Sequence, residues 1–187
     1  EYFHRIMGRV IGLFFLLPLI YFCFKKIDIK FLKPCFLIMT LIILQGFVGW
    51  YMVTSGLVNR IDVSHYRLSI HLLIAFLILS LILWNYLKIN KRNNIIDKIN
   101  PIIPFLFLVL IFIQIIIGAF VSGMDAGKIY NSWPFMGNTY FPNDNNFENL
   151  FKLSAFSDPS LVQFIHRNLA YVIGLFYVLI FFKVYKN

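Results

Sequence analysis

Five apolar runs, each long enough to cross a lipid bilayer, constrain this chain more than any other feature. They fall at about Gly8–Phe24, Pro34–Thr54, Leu68–Leu87, Pro101–Val121 and Leu161–Phe182, with an amphipathic lead-in from Glu1. A membrane helix needs roughly 20 mostly apolar residues. In lipid the backbone must bond to itself, so runs of this length are helices; barrel strands take only about 10 residues. Composition agrees: 60% of the 187 residues are hydrophobic, 13% are charged, and mean hydropathy is +0.78. Soluble domains are typically about 45–50% apolar and about 25% charged. These values exclude an ordinary soluble enzyme, a disordered tail and a disulfide-stapled secreted domain. The expected fold is all-α and polytopic.

The net charge of +9 would suggest nucleic acid in a soluble chain. Here the basic residues lie between apolar runs and set orientation instead, so no nucleic-acid partner is expected. Lys25, Lys26, Lys30, Lys33, Lys88, Lys91, Arg92, Lys98, Lys183 and Lys186 share one side if the spans alternate. The positive-inside rule makes that side the cytoplasm. Six of the eight acidic residues fall on the other side, with Arg5, Arg9, Arg60, Arg67 and Arg167. The long outer connection, residues 122–160, is rich in Asn, Asp, Gly and Pro and is expected to be irregular or to hold short surface pieces. Cys23 and Cys35 border a basic loop and match no zinc spacing.

The chain repeats itself. HRIMGRVIGLF at 4–14 and HRNLAYVIGLF at 166–176 agree at seven of 11 positions. QGFVGWYMVTSG at 45–56 and QIIIGAFVSG at 114–123 share a Gln, a Gly four residues on and a terminal Ser-Gly. This is the pattern of a duplicated membrane unit with related sites in each half. The division falls at residues 1–100 and 101–187. The chain opens inside the repeated motif, and it reads as a piece of a longer polypeptide.

His4, His71 and His166 each stand within about two helical turns of a span's outer end. Ionisable groups in spans are costly and mark function, unless they only cap the interface. Zinc or copper would need more ligands than the pattern offers. Haem needs one or two axial imidazoles in an apolar pocket. His4 with His71 makes one such pair, and His166 needs a partner that symmetry places beyond Asn187. Arg5, Arg9, Arg67 and Arg167 are candidate contacts for anionic propionates, or else snorkelling interfacial residues. Glu1 lies one turn before His4, and its repeat equivalent is Gln163. A carboxylate can move protons beside a haem and an amide cannot. The first half is therefore expected to do chemistry and the second to carry electrons. The alternative for Glu1 is an exposed residue favoured at a helix N-terminus. His65 is expected in the short outer loop, solvated. The tryptophans Trp50, Trp84 and Trp133 fit an interfacial belt.

The segments EYFHRIMGR (1–9), LQGFVGWYMVTSGL (44–57), YRLSIHL (66–72), GAFVSGMDAGKIYNSWPFM (118–136) and QFIHR (163–167) closely resemble haem A synthase of the mitochondrial and alphaproteobacterial branch. The resemblance implies two pseudo-symmetric four-helix halves in the bacterial cytoplasmic membrane, with this chain covering helices two to six of eight. It implies conversion of haem O to haem A by successive hydroxylation of the C8 methyl to a formyl group, for cytochrome oxidase. Carried over by motif, Glu1 is the catalytic residue, His4 and His71 hold the substrate haem, and His166 is a ligand of the cofactor haem b. The partners implied are haem O and membrane lipid; haem O synthase and a second copy of the chain stay open. The branch with a cysteine pair in its outer loops is not matched. A b-type cytochrome that only transfers electrons is the alternative, and a non-catalytic assembly protein a third reading.

Overall fold

The structure is a computed structural model, and it describes residues 2–56, 63–90 and 100–185. Five long helices account for the apolar runs: α1 (Tyr2–Phe24), α2 (Ile29–Gly56), α3 (His65–Ile89), α4 (Ile102–Gly123) and α5 (Pro159–Tyr185). All five are long and apolar enough to cross a membrane. The shortest has 22 residues, about 33 Å of helix at 1.5 Å per residue, against a hydrocarbon core of about 30 Å. Among the described residues there is no strand, only an isolated bridge between Met136 and Thr139. The chain is thus all-α and multi-pass, as the apolar runs require. Each helix runs a few residues past its run, because polar residues at the ends still gain backbone bonds.

Short polar side chains set where the helices begin. The Asp28 carboxylate accepts from the Lys30 amide (2.9 Å) ahead of α2, and Asn100 accepts from the Ile102 amide (3.0 Å) ahead of α4. Asp158 accepts from the Leu161 amide (3.0 Å) at the head of α5. Each satisfies a donor that the first turn leaves without a helical partner. α1 ends in a Schellman turn: Ile27 N–H donates to Phe22 C=O (3.3 Å) and Lys26 N–H to Cys23 C=O (3.2 Å), with Lys26 left-handed at φ 49°.

The chain divides into two compact units. The first takes in residues 1–58 and 74–92, and in it α1 packs along α2. Its few buried side chains include Leu19, Leu32 and Ile38; most of its apolar surface faces outward, as lipid-facing helices require.

The second unit takes in residues 59–73 and 93–187: the start of α3, then α4, the long connection and α5. Its core is Ile117, Phe120 and Val162, with Ile116, Val121, Met124, Phe156 and Ile165 packed around them. The connection between α4 and α5 is irregular, as its composition predicts, and holds three short 3-10 helices at Ala126–Lys128, Phe147–Phe151 and Leu153–Ser157. The Tyr66 hydroxyl meets Ser157 Oγ at 2.9 Å, which ties the head of α3 to this connection.

His65 corrects an expectation. It is not a solvated loop residue but the first residue of α3, half-buried, with its ring 5.2 Å from that of Phe120 in an edge-on contact. The loop reading failed because its apolar neighbours come from α4, far along the sequence. Gly123 makes this approach feasible: a Cβ there would stand 2.8 Å from His65 Cβ and 2.9 Å from His65 Cα. Gly123→Ala is therefore expected to destabilise the fold by about 1–3 kcal/mol, the usual cost of overpacking. Thermal unfolding of the detergent-solubilised protein reads this; an unchanged midpoint would rule out the close approach.

Candidate functional site

α1 carries His4, Arg5 and Arg9 in its first turns, all at exposed positions. Glu1 lies outside the described residues. α3 carries Arg67 and His71, one turn apart and half-buried, in the second unit. α5 carries Gln163, His166 and Arg167. In the second unit, His71 is six residues into its helix and His166 seven, so both lie about 9–11 Å along the axis. Both therefore stand within about two turns of their helix starts, as does His4, two residues into α1. Among the described residues no three or more His, Cys, Asp or Glu side chains cluster to hold a metal ion. Candidate metal ligation thus rests on individual imidazoles.

His166 has the best-defined surroundings. It is half-buried on the face of α5 that meets α4. The Gln114 side-chain nitrogen stands 3.2 Å from His166 C=O and 3.4 Å from its ring Nε2. Gly118, one turn further along α4, leaves bare backbone against the ring. A Cβ there would come within 3.1 Å of His166 Cε1. Three buried polar atoms here lack a hydrogen-bond partner: His166 Nδ1, Gln114 Oε1 and Gln163 Oε1. Buried polar groups are nearly always satisfied, so unsatisfied ones call for an explanation, and a ligand is one. An imidazole with an unused nitrogen, on a glycine-lined face among apolar helices, fits axial ligation of a haem.

The neighbouring Arg167 does something the sequence did not suggest. Its guanidinium donates to two loop carbonyls, Tyr130 C=O at 2.7 Å and Ser132 C=O at 2.9 Å. Gln163, 4% exposed, adds a third donor, its side-chain nitrogen 2.9 Å from Tyr130 C=O. The connection is thus clamped to the first turns of α5 around His166. Tyr140 donates to Asn168 (2.5 Å) and Trp133 to Tyr171 (2.6 Å), extending the seam. Trp133 is otherwise exposed, in keeping with an interfacial position.

A second latch ties the connection to itself and to the head of α5. The Tyr130 hydroxyl donates to Asp144 Oδ1 (2.8 Å) and Ser160 Oγ donates to Asp144 Oδ2 (2.6 Å). Partial burial pushes the Asp144 carboxyl up, but the bonds from Ser160 and Tyr130 outweigh it and hold the group below its usual range. Burial and then the bond to Asp144 push the Tyr130 phenol up, so it remains a donor. A depressed carboxyl adds stability that is complete above its unfolded value and is lost as pH falls through the folded one. The connection should therefore loosen in acid, as pH falls below the ordinary carboxylate range. Hydrogen exchange of residues 124–158 against pH checks this, and Asp144→Asn should abolish the acid-dependent part.

Gln114, Gln163 and Tyr130 were the residues whose roles sequence reasoning missed. The recurrent Gln-x-x-x-Gly pattern was the signal for the first, and the Glu1/Gln163 register for the second. For Tyr130 there was none, since its contacts are made by its own carbonyl and by residues 14 or more positions away.

These features define a multi-pass α-helical membrane protein with a half-buried imidazole–amide site beside a clamped loop. The cytochrome oxidase assembly protein family matches residues 1–187, and the chain belongs to it. Among curated relatives, the heme A synthase of Pelagibacter ubique is 46% identical over 189 residues, which is 100% of this chain and 56% of that protein. Those of Flavobacterium johnsoniae and Rickettsia bellii are 41% and 40% identical, again over 100% of this chain and 56% and 57% of theirs. The chain thus spans a little over half the length of these relatives. No solved structure matches it.

Proposed function

We propose that this chain is part of a haem A synthase: a membrane oxidoreductase that hydroxylates the C8 methyl of haem O twice, the resulting gem-diol losing water to leave the formyl group of haem A for cytochrome oxidase. The observation that carries this reading is the family match along residues 1–187, with relatives named heme A synthase aligned over the whole chain. In it, residues 1–100 belong to the substrate-haem half and 101–187 to the start of the haem b half. The protein sits in the bacterial cytoplasmic membrane with its histidines near the outer face, where haem O synthase would hand over the substrate.

By the motif resemblance, His4 and His71 would each offer an imidazole to the substrate haem, and Arg5, Arg9 and Arg67 would each offer a guanidinium fork to a propionate carboxylate. Glu1 takes or delivers protons beside the methyl being oxidised. His166 holds haem b, and its unpartnered Nδ1 and bare Gly118 flank support the assignment. Bound there, haem b supplies one-electron transfer. Arg167 keeps the connection docked beside His166, and with two of its five N–H donors spent on carbonyls the rest would be available to a propionate.

The test is haem extraction from membranes that supply haem O and express the full-length parent gene, followed by chromatography with mass detection. Haem A, or its hydroxymethyl precursor, is the expected product. Abundant haem b with haem O untouched would favour a pure electron carrier. No bound haem would sink the ligand roles of His4, His71 and His166 together.

A further inference from the structure

We propose that residues 147–153 of the connection between α4 and α5 form an interfacial anchor, which inserts Phe147, Phe151 and Leu153 into the bilayer surface beside the head of α5. These side chains are 60%, 78% and 88% exposed. Single exposed apolar residues are ordinary, but a group of large ones marks a surface that meets lipid or protein. An aromatic ladder joins this group to α5. The ring centroids of Phe151 and Phe147 are 5.6 Å apart, those of Phe147 and Phe141 5.7 Å, and those of Phe141 and Phe164 5.0 Å.

Phe164 sets the depth. α5 has 27 residues, about 40 Å of helix, against a hydrocarbon core of about 30 Å. With Lys183 of its last turn at one interface, a span of about 20 residues reaches back to Phe164. The ladder thus leaves α5 at the other interface, the depth that aromatic side chains favour. The face agrees with the depth. Phe164, Asn168 and Tyr171 recur at the helical repeat, on the side of α5 opposite Val162 and His166, which meet α4. Tyr140 and Trp133 bond to Asn168 and Tyr171 on that side. The same stripe continues into Leu175, Val178 and Phe182, all exposed along the span. The exposed group is therefore continuous with the apolar flank that a membrane helix turns to lipid.

Charge decides how the segment inserts. Residues 122–160 carry Asp125, Asp144, Glu148 and Asp158 against Lys128 and Lys152. A connection of net negative charge gains nothing from anionic headgroups, so burial of apolar surface drives the insertion. The polar groups of the segment are cared for locally. Lys152 Nζ donates to Asn149 Oδ1 at 2.8 Å, and the Lys152 and Ala155 amides donate to the carbonyls of Asn149 (3.2 Å) and Lys152 (3.0 Å).

The experiment places a nitroxide label at Phe147→Cys, Phe151→Cys or Leu153→Cys, one at a time, in the full-length parent protein freed of its other cysteines and held in phosphatidylcholine nanodiscs. Electron paramagnetic resonance power saturation then compares exposure to oxygen, which concentrates in lipid, with exposure to a water-soluble nickel chelate. A nitroxide-bearing lipid and the free label in buffer give the two references. All three labels should match the lipid reference, with oxygen access high and nickel access low. Adding phosphatidylglycerol should change neither value. Because the three positions are exposed, the labels disturb little packing, and any one variant that folds reports. Nickel access at the level of the free label would place the segment in water and overturn the proposal. Low access to both reagents with an immobilised spectrum would mean that protein covers it, another part of the chain or a second copy, and would overturn it equally. Insertion seen only with phosphatidylglycerol would overturn apolar burial as its cause.

Discussion

In membranes that supply haem O, the Glu1→Gln form of the full-length protein should keep its haems and lose haem A. Positioned acid–base groups contribute about 10²–10⁴-fold to rate, so production should fall by about a hundredfold or more. An amide of the same size preserves packing, and haem content per protein should therefore match wild type. The duplicated register sharpens the prediction. Gln163 occupies the equivalent position in the second copy, and there the amide is structural, donating to Tyr130 C=O at 2.9 Å. A carboxylate could not make that bond. Gln163 is thus suited to loop docking, whereas a carboxylate has the chemistry for the proton exchange proposed for Glu1. Haem A at the wild-type level in Glu1→Gln membranes would remove Glu1 from the chemistry and leave the b-type cytochrome as the better reading.

Arg167→Ala should release the connection between α4 and α5. The guanidinium makes two hydrogen bonds to main-chain oxygens, and bonds to charged groups contribute about 1.5–3 kcal/mol each. One of the two is exposed and counts for less, so a loss of about 3 kcal/mol in docking of the connection is a fair expectation. That is roughly a hundredfold rise in the open population. Hydrogen exchange and limited proteolysis of residues 124–158 read it directly. Arg167→Lys should recover only part, because an ammonium cannot span two carbonyls as a planar fork does. Unchanged protection in Arg167→Ala would mean that the Tyr140 and Trp133 bonds suffice to hold the loop.

The helices were legible because lipid leaves the backbone so few options. A run such as Pro101–Val121 can only become α4, and its ends moved by no more than two residues. His71 and His166 were equally legible as residues near helix heads, since helix register carries depth. What the sequence hid were contacts between elements distant in the chain. His65 looked solvated because Phe120 and Gly123, which enclose it, lie more than 50 residues away. Arg167 looked available for a ligand because its acceptors are carbonyls, and carbonyls leave no mark in a sequence. Gln114 was visible only as half of a recurring pattern, without the imidazole that gives the pattern meaning.

The Arg167 clamp also bears on how this loop can change over generations. Its acceptors are the backbone oxygens of residues 130 and 132, and every amino acid carries that oxygen. Ser132 could be exchanged for many other residues without costing the arginine its partner, whereas Arg167 has no substitute of equal shape. Mutational tolerance should therefore be lopsided across this contact: broad on the loop side, narrow on the helix side. The loop can diversify at its surface while its attachment next to His166 stays constant.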